Sequence, residues 1–137
     1  MRRYVLDQQV GFLLRKAHQR HTSIFASAVR NKIPPSQFAV LAKLAEVGPV
    51  SQNELGRLTA MDSATIKGVV DRLTTRGLVT ADVSPRDARL RVADLSPEGR
   101  EFIELMTPVA KRITLDTLSP LTVAERRTFL RLLKKLG

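Results

Sequence analysis

Residues 51–95 read SQNELGRLTAMDSATIKGVVDRLTTRGLVTADVSPRDARLRVADL, and the hydrophobic period changes part-way along. Ser51-Gln52-Asn53-Glu54 has the Ser-x-x-Glu form of a capping box, with Leu55 and Leu58 after it. The spacing predicts a short helix ending near Thr59. After a turn at Ala60-Met61, Asp62 or Ser63 caps a second helix that runs to Arg76, with Ile66, Val69, Val70 and Leu73 on one face. Gly77 suits the left-handed position that follows such a helix. From residue 78 the period falls to two. Residues 78–83 and 90–95 read as strands, joined by the polar turn Ser84-Pro85-Arg86-Asp87-Ala88-Arg89. Helix, turn, helix and basic hairpin together make a winged helix-turn-helix. In such a unit the second helix lies in the major groove and the first crosses the backbone.

The outward face and flanks of the second helix carry Ser63, Ala64, Thr65, Lys67, Gly68, Asp71, Arg72 and Thr75. Its N-terminal members are small or hydrogen-bonding, which suits close approach to base edges and phosphates. A mid-helix glycine costs about 1 kcal/mol against alanine. Close approach of DNA or of a neighbouring helix is one reason for Gly68, and simple packing is the other. Arginines at a hairpin tip suit a narrow minor groove, whose negative potential is enhanced. Arg86 and Arg89 stand there, and Asp87 is placed to pair with Arg89. Ser51 and Gln52, at the start of the first helix, complete the candidate DNA-binding set.

The flanks are helical. Leu6, Val10, Leu13, Leu14, Ala17, Ile24, Phe25, Ala28 and Val29 recur at steps of three and four, predicting one helix over 6–30. Pro34-Pro35 starts another that Gly48-Pro49 breaks. Ser96-Pro97-Glu98 opens a long helix to about Leu118, which Pro108 is expected to kink or open locally. Its apolar set is Phe102, Ile103, Leu105, Met106, Val109, Ile113 and Leu115. Thr122-Val123-Ala124-Glu125 is a second capping box, leading into Phe129, Leu130, Leu132, Leu133 and Leu136.

The 137 residues carry 23 Lys and Arg against 13 Asp and Glu, a net charge of +10, and 43% are hydrophobic. That is enough apolar material for a packed core, and the surplus points to a polyanionic partner. The surplus is +6 over residues 1–50, +1 over 51–95 and +3 over 96–137. The absence of Cys excludes disulfides, thiolate chemistry and cysteine-based zinc sites. No apolar run approaches the roughly 20 residues needed to span a bilayer. The basic N-terminus runs into Asp7-Gln8-Gln9, unlike a secretory signal, so a cytoplasmic location is expected. There is no Gly-rich phosphate loop, His-Glu-x-x-His or Gly-x-Ser-x-Gly, so no catalytic residue and no cofactor is expected.

These stretches resemble the MarR-type (MarR/SlyA) transcription regulators. The resemblance covers residues 36–118, and the flanking helices fit it. It rests on Ser51-Gln52-Asn53-Glu54-Leu55, Val70-Asp71-Arg72-Leu73, Arg76-Gly77-Leu78-Val79 and the hairpin turn 84–89. Leu95-Ser96-Pro97-Glu98-Gly99 and Leu118-Ser119-Pro120-Leu121-Thr122 with Glu125 extend it. It implies a repressor that binds a pseudo-palindromic operator as an obligate homodimer and is released by a small ligand. Its Asp-x-Arg wing motif falls on Asp87 and Arg89. Lys67-Gly68 departs from the Thr or Ser followed by Arg of many members, so an operator sequence does not carry over. The missing Cys excludes the branch that senses peroxides.

The expected architecture is therefore mainly α with a small β-hairpin wing, a single domain over 1–137. A winged helix-turn-helix core spans about 34–95, and dimerisation helices span about 6–30 and 97–136. Dimerisation has its own physical argument: the terminal helices carry more apolar surface than a small winged core covers, and a two-fold dimer presents two reading helices to successive major grooves.

His18 and His21 share a face of the first helix. Three uses stand open: histidines at a helix interface, a pocket for an anionic aromatic ligand, or a metal site, which lacks a further strong ligand in the sequence. In the pocket reading Arg15, His18, Arg20 or His21 meets a carboxylate, and Phe38 joins the candidate ligand set. The resemblance extends, over residues 17–25 and 59–66, to regulators of aromatic or N-heteroaromatic acid catabolism. It points to an aromatic carboxylate as effector. The alternatives are a regulator of this type answering to another ligand or a metal, and a non-specific architectural DNA-binding protein.

Overall fold

In the computed structural model, which describes residues 3–137, Leu6–Gln8 form one 3-10 turn and helix α1 starts afresh at Val10, ending at Ala28. The single helix expected over 6–30 is thus interrupted at Gln9, whose backbone is extended (φ -89°, ψ 139°). Arg30 and Asn31 take left-handed backbone, φ 53° and 56°, and stop the chain from continuing as helix. Then follow α2 (Pro35–Val47), β1 (Val50–Ser51), α3 (Gln52–Leu58), α4 (Ser63–Thr75), β2 (Val79–Val83), β3 (Arg91–Leu95), α5 (Pro97–Thr117) and α6 (Val123–Leu136).

The chain forms two compact units. One is residues 31–108; the other joins residues 1–30 to 109–137. In the first, the apolar face expected of α4 is inward. Ile66, Val69, Val70 and Leu73 are buried, as are Val40, Leu41 and Leu44 of α2, Leu55 of α3, and Ile103 and Met106 of α5. Gly56 lets α3 and α4 approach: a Cβ there would lie 3.0 Å from the Ile66 side chain and 3.1 Å from the Met61 carbonyl. Ala60, at φ 57°, makes the turn between them.

Caps form largely as their sequences direct. The Asp62 carboxylate accepts the Thr65 N–H at 2.7 Å. The Ser51 hydroxyl accepts the Glu54 N–H at 3.2 Å, but the Glu54 carboxylate turns to Arg57, so only half of that box forms. At Thr122 and Glu125 both halves are present. α5 continues through Pro108 rather than ending there.

The sheet holds one strand more than the expected hairpin. Its order is β1-β3-β2, all antiparallel. Two residues are too few to show a period, which is why β1 escapes a reading based on alternation. β2 and β3 pair in register from Val79 opposite Leu95 to Val83 opposite Arg91.

In the second unit Phe25, Val29, Ile113 and Leu118 are buried. Most of its other apolar side chains are not. Leu6, Val10, Leu13 and Leu14 are exposed, Leu115 of α5 is 51% exposed, and α6 buries no residue at all. Leu105, in the α5 half that belongs to the other unit, is 70% exposed, so it leaves the expected apolar set. Among the described residues no helix is long and apolar enough to cross a membrane.

One junction closes the hairpin. The Ser96 N–H donates to the Leu78 carbonyl at 3.1 Å and the Ser96 hydroxyl donates to the Gly77 carbonyl at 2.6 Å. The same hydroxyl accepts the Gly99 N–H at 2.9 Å, capping α5. A Cβ on Gly99 would sit 1.9 Å from the Leu78 carbonyl oxygen, a backbone atom that has no rotamer to escape into. Gly99→Ala is expected to lower unfolding free energy by about 3 kcal/mol or more through overpacking. Ser96→Ala is expected to lower it by about 1–2 kcal/mol, from a lost cap and a lost hydrogen bond to the Gly77 carbonyl. Urea unfolding curves check both, and unchanged midpoints would contradict the junction.

Candidate nucleic-acid interface

α3, α4 and the β2–β3 wing build one surface on the 31–108 unit. Because Ile66, Val69, Val70 and Leu73 turn inward, Ser63, Ala64, Thr65, Lys67 and Arg72 are exposed, and Gly68 is half-buried. The Asp62 cap orders the first turn of α4 on which Ser63, Ala64 and Thr65 stand. Hydrogen bonds from Thr65 hold the Asp62 carboxyl below the usual carboxylate range, so it remains an acceptor at neutral pH. The macrodipole of α4 leaves partial positive charge at this same end.

The nearest atoms to a Cβ on Gly68 would be those of the Arg72 guanidinium, at 3.3 Å, the far end of a flexible side chain on the same helix. No close backbone contact therefore demands a glycine here, unlike at Gly99.

At the wing tip the Asp87 carboxylate accepts the Arg89 N–H at 3.0 Å and the Arg89 guanidinium at 3.1 and 3.2 Å. The expected pair is therefore present. Arg89 stays 90% exposed while its orientation is held, and these hydrogen bonds keep Asp87 below its ordinary pKa. The Arg86 N–H donates to the Ser84 hydroxyl at 3.2 Å, which shapes the turn and leaves the Arg86 side chain exposed.

Two residues outside the candidate DNA-binding set organise this surface: Asp71, on the outward side of α4, and Arg91, at the start of β3. The Asp71 carboxylate accepts from Lys67 at 2.8 Å and from Arg91 at 2.9 Å. The bond from Lys67, and next that from Arg91, lowers its pKa. Arg91 also donates to Gln52 at 3.2 Å, so the start of α3, the middle of α4 and the start of β3 meet there. Lys67 and Asp71 stand four apart on α4, which is a legible signal. Arg91 is twenty residues further along, and only the register of β3 brings it in. Ser51 caps α3, and Gln52, half-buried, has its side-chain carbonyl oxygen engaged by Arg91.

The other unit holds a cavity of about 340 Å³ between α1, the C-terminal half of α5 and α6. Leu14, His18, His21, Thr117, Phe129 and Leu133 are among its walls. The His21 ring shares a hydrogen bond with the Thr117 hydroxyl, Nδ1 to Oγ1 3.0 Å, and lies 6.4 Å from the Phe25 ring. Of the five residues suggested for a ligand, His18 and His21 line this cavity. Arg15 and Arg20 do not. The Arg20 guanidinium instead donates to the carbonyls of Asp116 and Thr117, at 2.9 and 3.2 Å, and to the Ser119 hydroxyl at 3.3 Å. It closes the C-terminus of α5, where a cation also complements the dipole. Phe38 is half-buried on α2, in the 31–108 unit. Among the described residues no three metal-ligating side chains cluster.

Known proteins place this arrangement. Residues 32–90 match the model of the MarR family. The chain is 41% identical to the HTH-type transcriptional repressor NicR of Pseudomonas putida, over 97% of this chain and 85% of that one. The crystal structure of a probable transcriptional regulator from Pseudomonas aeruginosa is similar at 47% identity with a TM-score of 0.91, covering 97% of this chain and 100% of that one. BpsR of Bordetella bronchiseptica, whose DNA binding is regulated by 6-hydroxynicotinic acid, is similar at 39% identity with a TM-score of 0.94, covering 98% and 97%. With a winged helix-turn-helix, an Asp-x-Arg wing tip and relatives matched over nearly their whole length, this chain belongs to the MarR family of transcription regulators.

Proposed function

We propose that this protein is a ligand-responsive repressor that works in the cytoplasm. It binds a pseudo-palindromic operator as a homodimer and is released by a small aromatic or N-heteroaromatic carboxylic acid. The observation that carries the reading is the joint placement, on one unit, of the exposed first turns of α4 and the oriented Arg89 of the wing. α4 supplies hydrogen-bonding groups of the size a major groove admits, and Arg86 and Arg89 supply cations for the adjacent minor groove.

The dimer follows from surface left unfinished in the other unit. An α6 with no buried residue and an α1 that exposes Val10, Leu13 and Leu14 make more bare apolar surface than a monomer ordinarily tolerates. A second copy is the partner that covers equivalent surface on both sides.

The effector reading rests on the cavity lined by His18 and His21. Its apolar walls suit an aromatic ring, and the imidazoles are donors for a carboxylate. The pyridine-carboxylic acid that regulates BpsR belongs to this chemical class.

Three outcomes test the proposal. Arg89→Ala is expected to weaken operator binding by about 1–3 kcal/mol, read by fluorescence anisotropy. Gly68→Ala should raise helix stability by about 1 kcal/mol in the free protein yet weaken the operator complex, because the added methyl fills space the duplex needs. A gain in stability with unchanged DNA affinity would show that the glycine serves neither. In thermal shift, 6-hydroxynicotinic acid at 100 times its Kd should stabilise the protein by about 2.7 kcal/mol. The His18→Ala, His21→Ala double variant should lose that shift and keep operator binding. An unchanged shift in the double variant would remove both histidines from the effector site.

A further inference from the structure

The 31–108 unit holds ten Lys and Arg and ten Asp and Glu, so it is electrically neutral, and the whole surplus of +10 belongs to the rest of the chain. Unpaired cations attract any duplex regardless of base sequence, because each phosphate neutralised releases counterions. The unit assigned to read DNA offers few. On its candidate face Lys67 and Arg91 are both paired with Asp71, and Arg89 with Asp87. Arg72 and Arg86 are left without an ion pair among the described residues.

We propose that Asp71 is a specificity-determining residue. Its carboxylate occupies Lys67 and Arg91 in the free protein and withholds Lys67 from phosphates, releasing it only to a duplex that the rest of the interface has already seated. This rests on the reading of α4 and the wing as a DNA interface.

The geometry divides the labour between the two carboxylate oxygens. Lys67 donates to Oδ2 at 2.8 Å and Arg91 donates to Oδ1 at 2.9 Å. Arg91 is held a second time by Gln52 and its side chain is 35% exposed, so it stays with the protein. Lys67 is held once and is 64% exposed. Its pair with Asp71 also runs in the weaker direction for a helix, cation before anion along the chain. Lys67 is therefore the partner that leaves. When it does, Asp71 keeps Arg91, so no carboxylate is left without a cation. A duplex that approaches without seating meets the negative charge of Asp71 together with the positive charge of Lys67 and gains little. A seated duplex holds an acceptor at the end of the Lys67 side chain and wins the exchange.

The test uses two duplexes of about 30 base pairs, enough for two half-sites one helical turn apart. One is selected by the wild-type protein from a randomised pool, and the other is its scramble. Affinities are measured against KCl concentration for wild type, Lys67→Gln, Asp71→Asn and the double variant. Lys67→Gln should lower the salt slope by about one on the selected duplex and leave the slope on the scramble unchanged. Asp71→Asn should raise affinity for the scramble about tenfold, steepen its slope by about one and shrink the preference for the selected duplex accordingly. In the Lys67→Gln background those effects should vanish. Equal loss of slope on both duplexes in Lys67→Gln overturns the proposal. So does an Asp71→Asn that weakens both duplexes at unchanged slopes, since that is what a merely structural carboxylate does. If Asp71→Asn does not fold, the Lys67→Gln comparison decides alone. A wild-type protein that selects no duplex overturns the interface reading itself, an outcome distinct from a failure of Asp71.

Discussion

The backbone of Leu78 and the backbone of Gly99 pass so close that no side chain fits on the second. Ser96 ties the same place with its N–H to Leu78 and its hydroxyl to Gly77. The hairpin leaves α4 at Gly77 and returns to α5 at Ser96, so both its ends are pinned within one cluster of hydrogen bonds. Pinning both ends sets the register of β2 against β3, and register sets every position along a strand, because a slip by one residue exchanges the two faces. The direction of the wing, the place of Arg91 beside Asp71, and the inward turn of Ala93 and Leu95 all follow from that close contact.

Charge is organised differently in the two units. In the 31–108 unit acids and bases are equal in number and many are paired at the surface. Exposed pairs contribute little to stability. What they do is orient side chains: Asp87 sets the direction of Arg89, and Asp71 sets those of Lys67 and Arg91. In the unit of residues 1–30 and 109–137 one ion pair, Arg112 with Asp116, occurs among the described residues. Other cations of this unit engage groups without charge: Arg20 and Arg126 donate to backbone carbonyls, and Lys16 lies over the Phe12 ring. The surplus of +10 thus lies outside the unit that carries α4 and the wing.

Much of this was legible in the chain before folding. The helix-turn-helix, its caps at Ser51 and Asp62, the inward face of α4, Gly77 at the turn, and the pairing of Asp87 with Arg89 depend on residues within a few positions of each other. Spacing and capping chemistry act over that range. The terminal apolar periodicity was legible too, as was its excess over what a small winged core covers, but not which side chains remain bare. Leu105 and Leu115 carry the right period and are nonetheless exposed. The break at Gln9 and the two-residue β1 were not legible, since neither interrupts a period long enough to measure.

By itself the sequence determined the kind of domain and the identity of the residues that present themselves on α4 and the wing, because local hydrogen bonds and the 3.6- and 2-residue periods are properties of the chain. Only the tertiary structure decided which remote groups meet. It brought Arg91 to Asp71 and Gln52 across twenty and thirty-nine residues, turned Arg20 from a candidate ligand contact into the cap of α5, and put His21 against Thr117 ninety-six residues away. Those pairings depend on strand register and on helices brought together by packing, and neither distance nor direction between remote segments is written in any local run of residues.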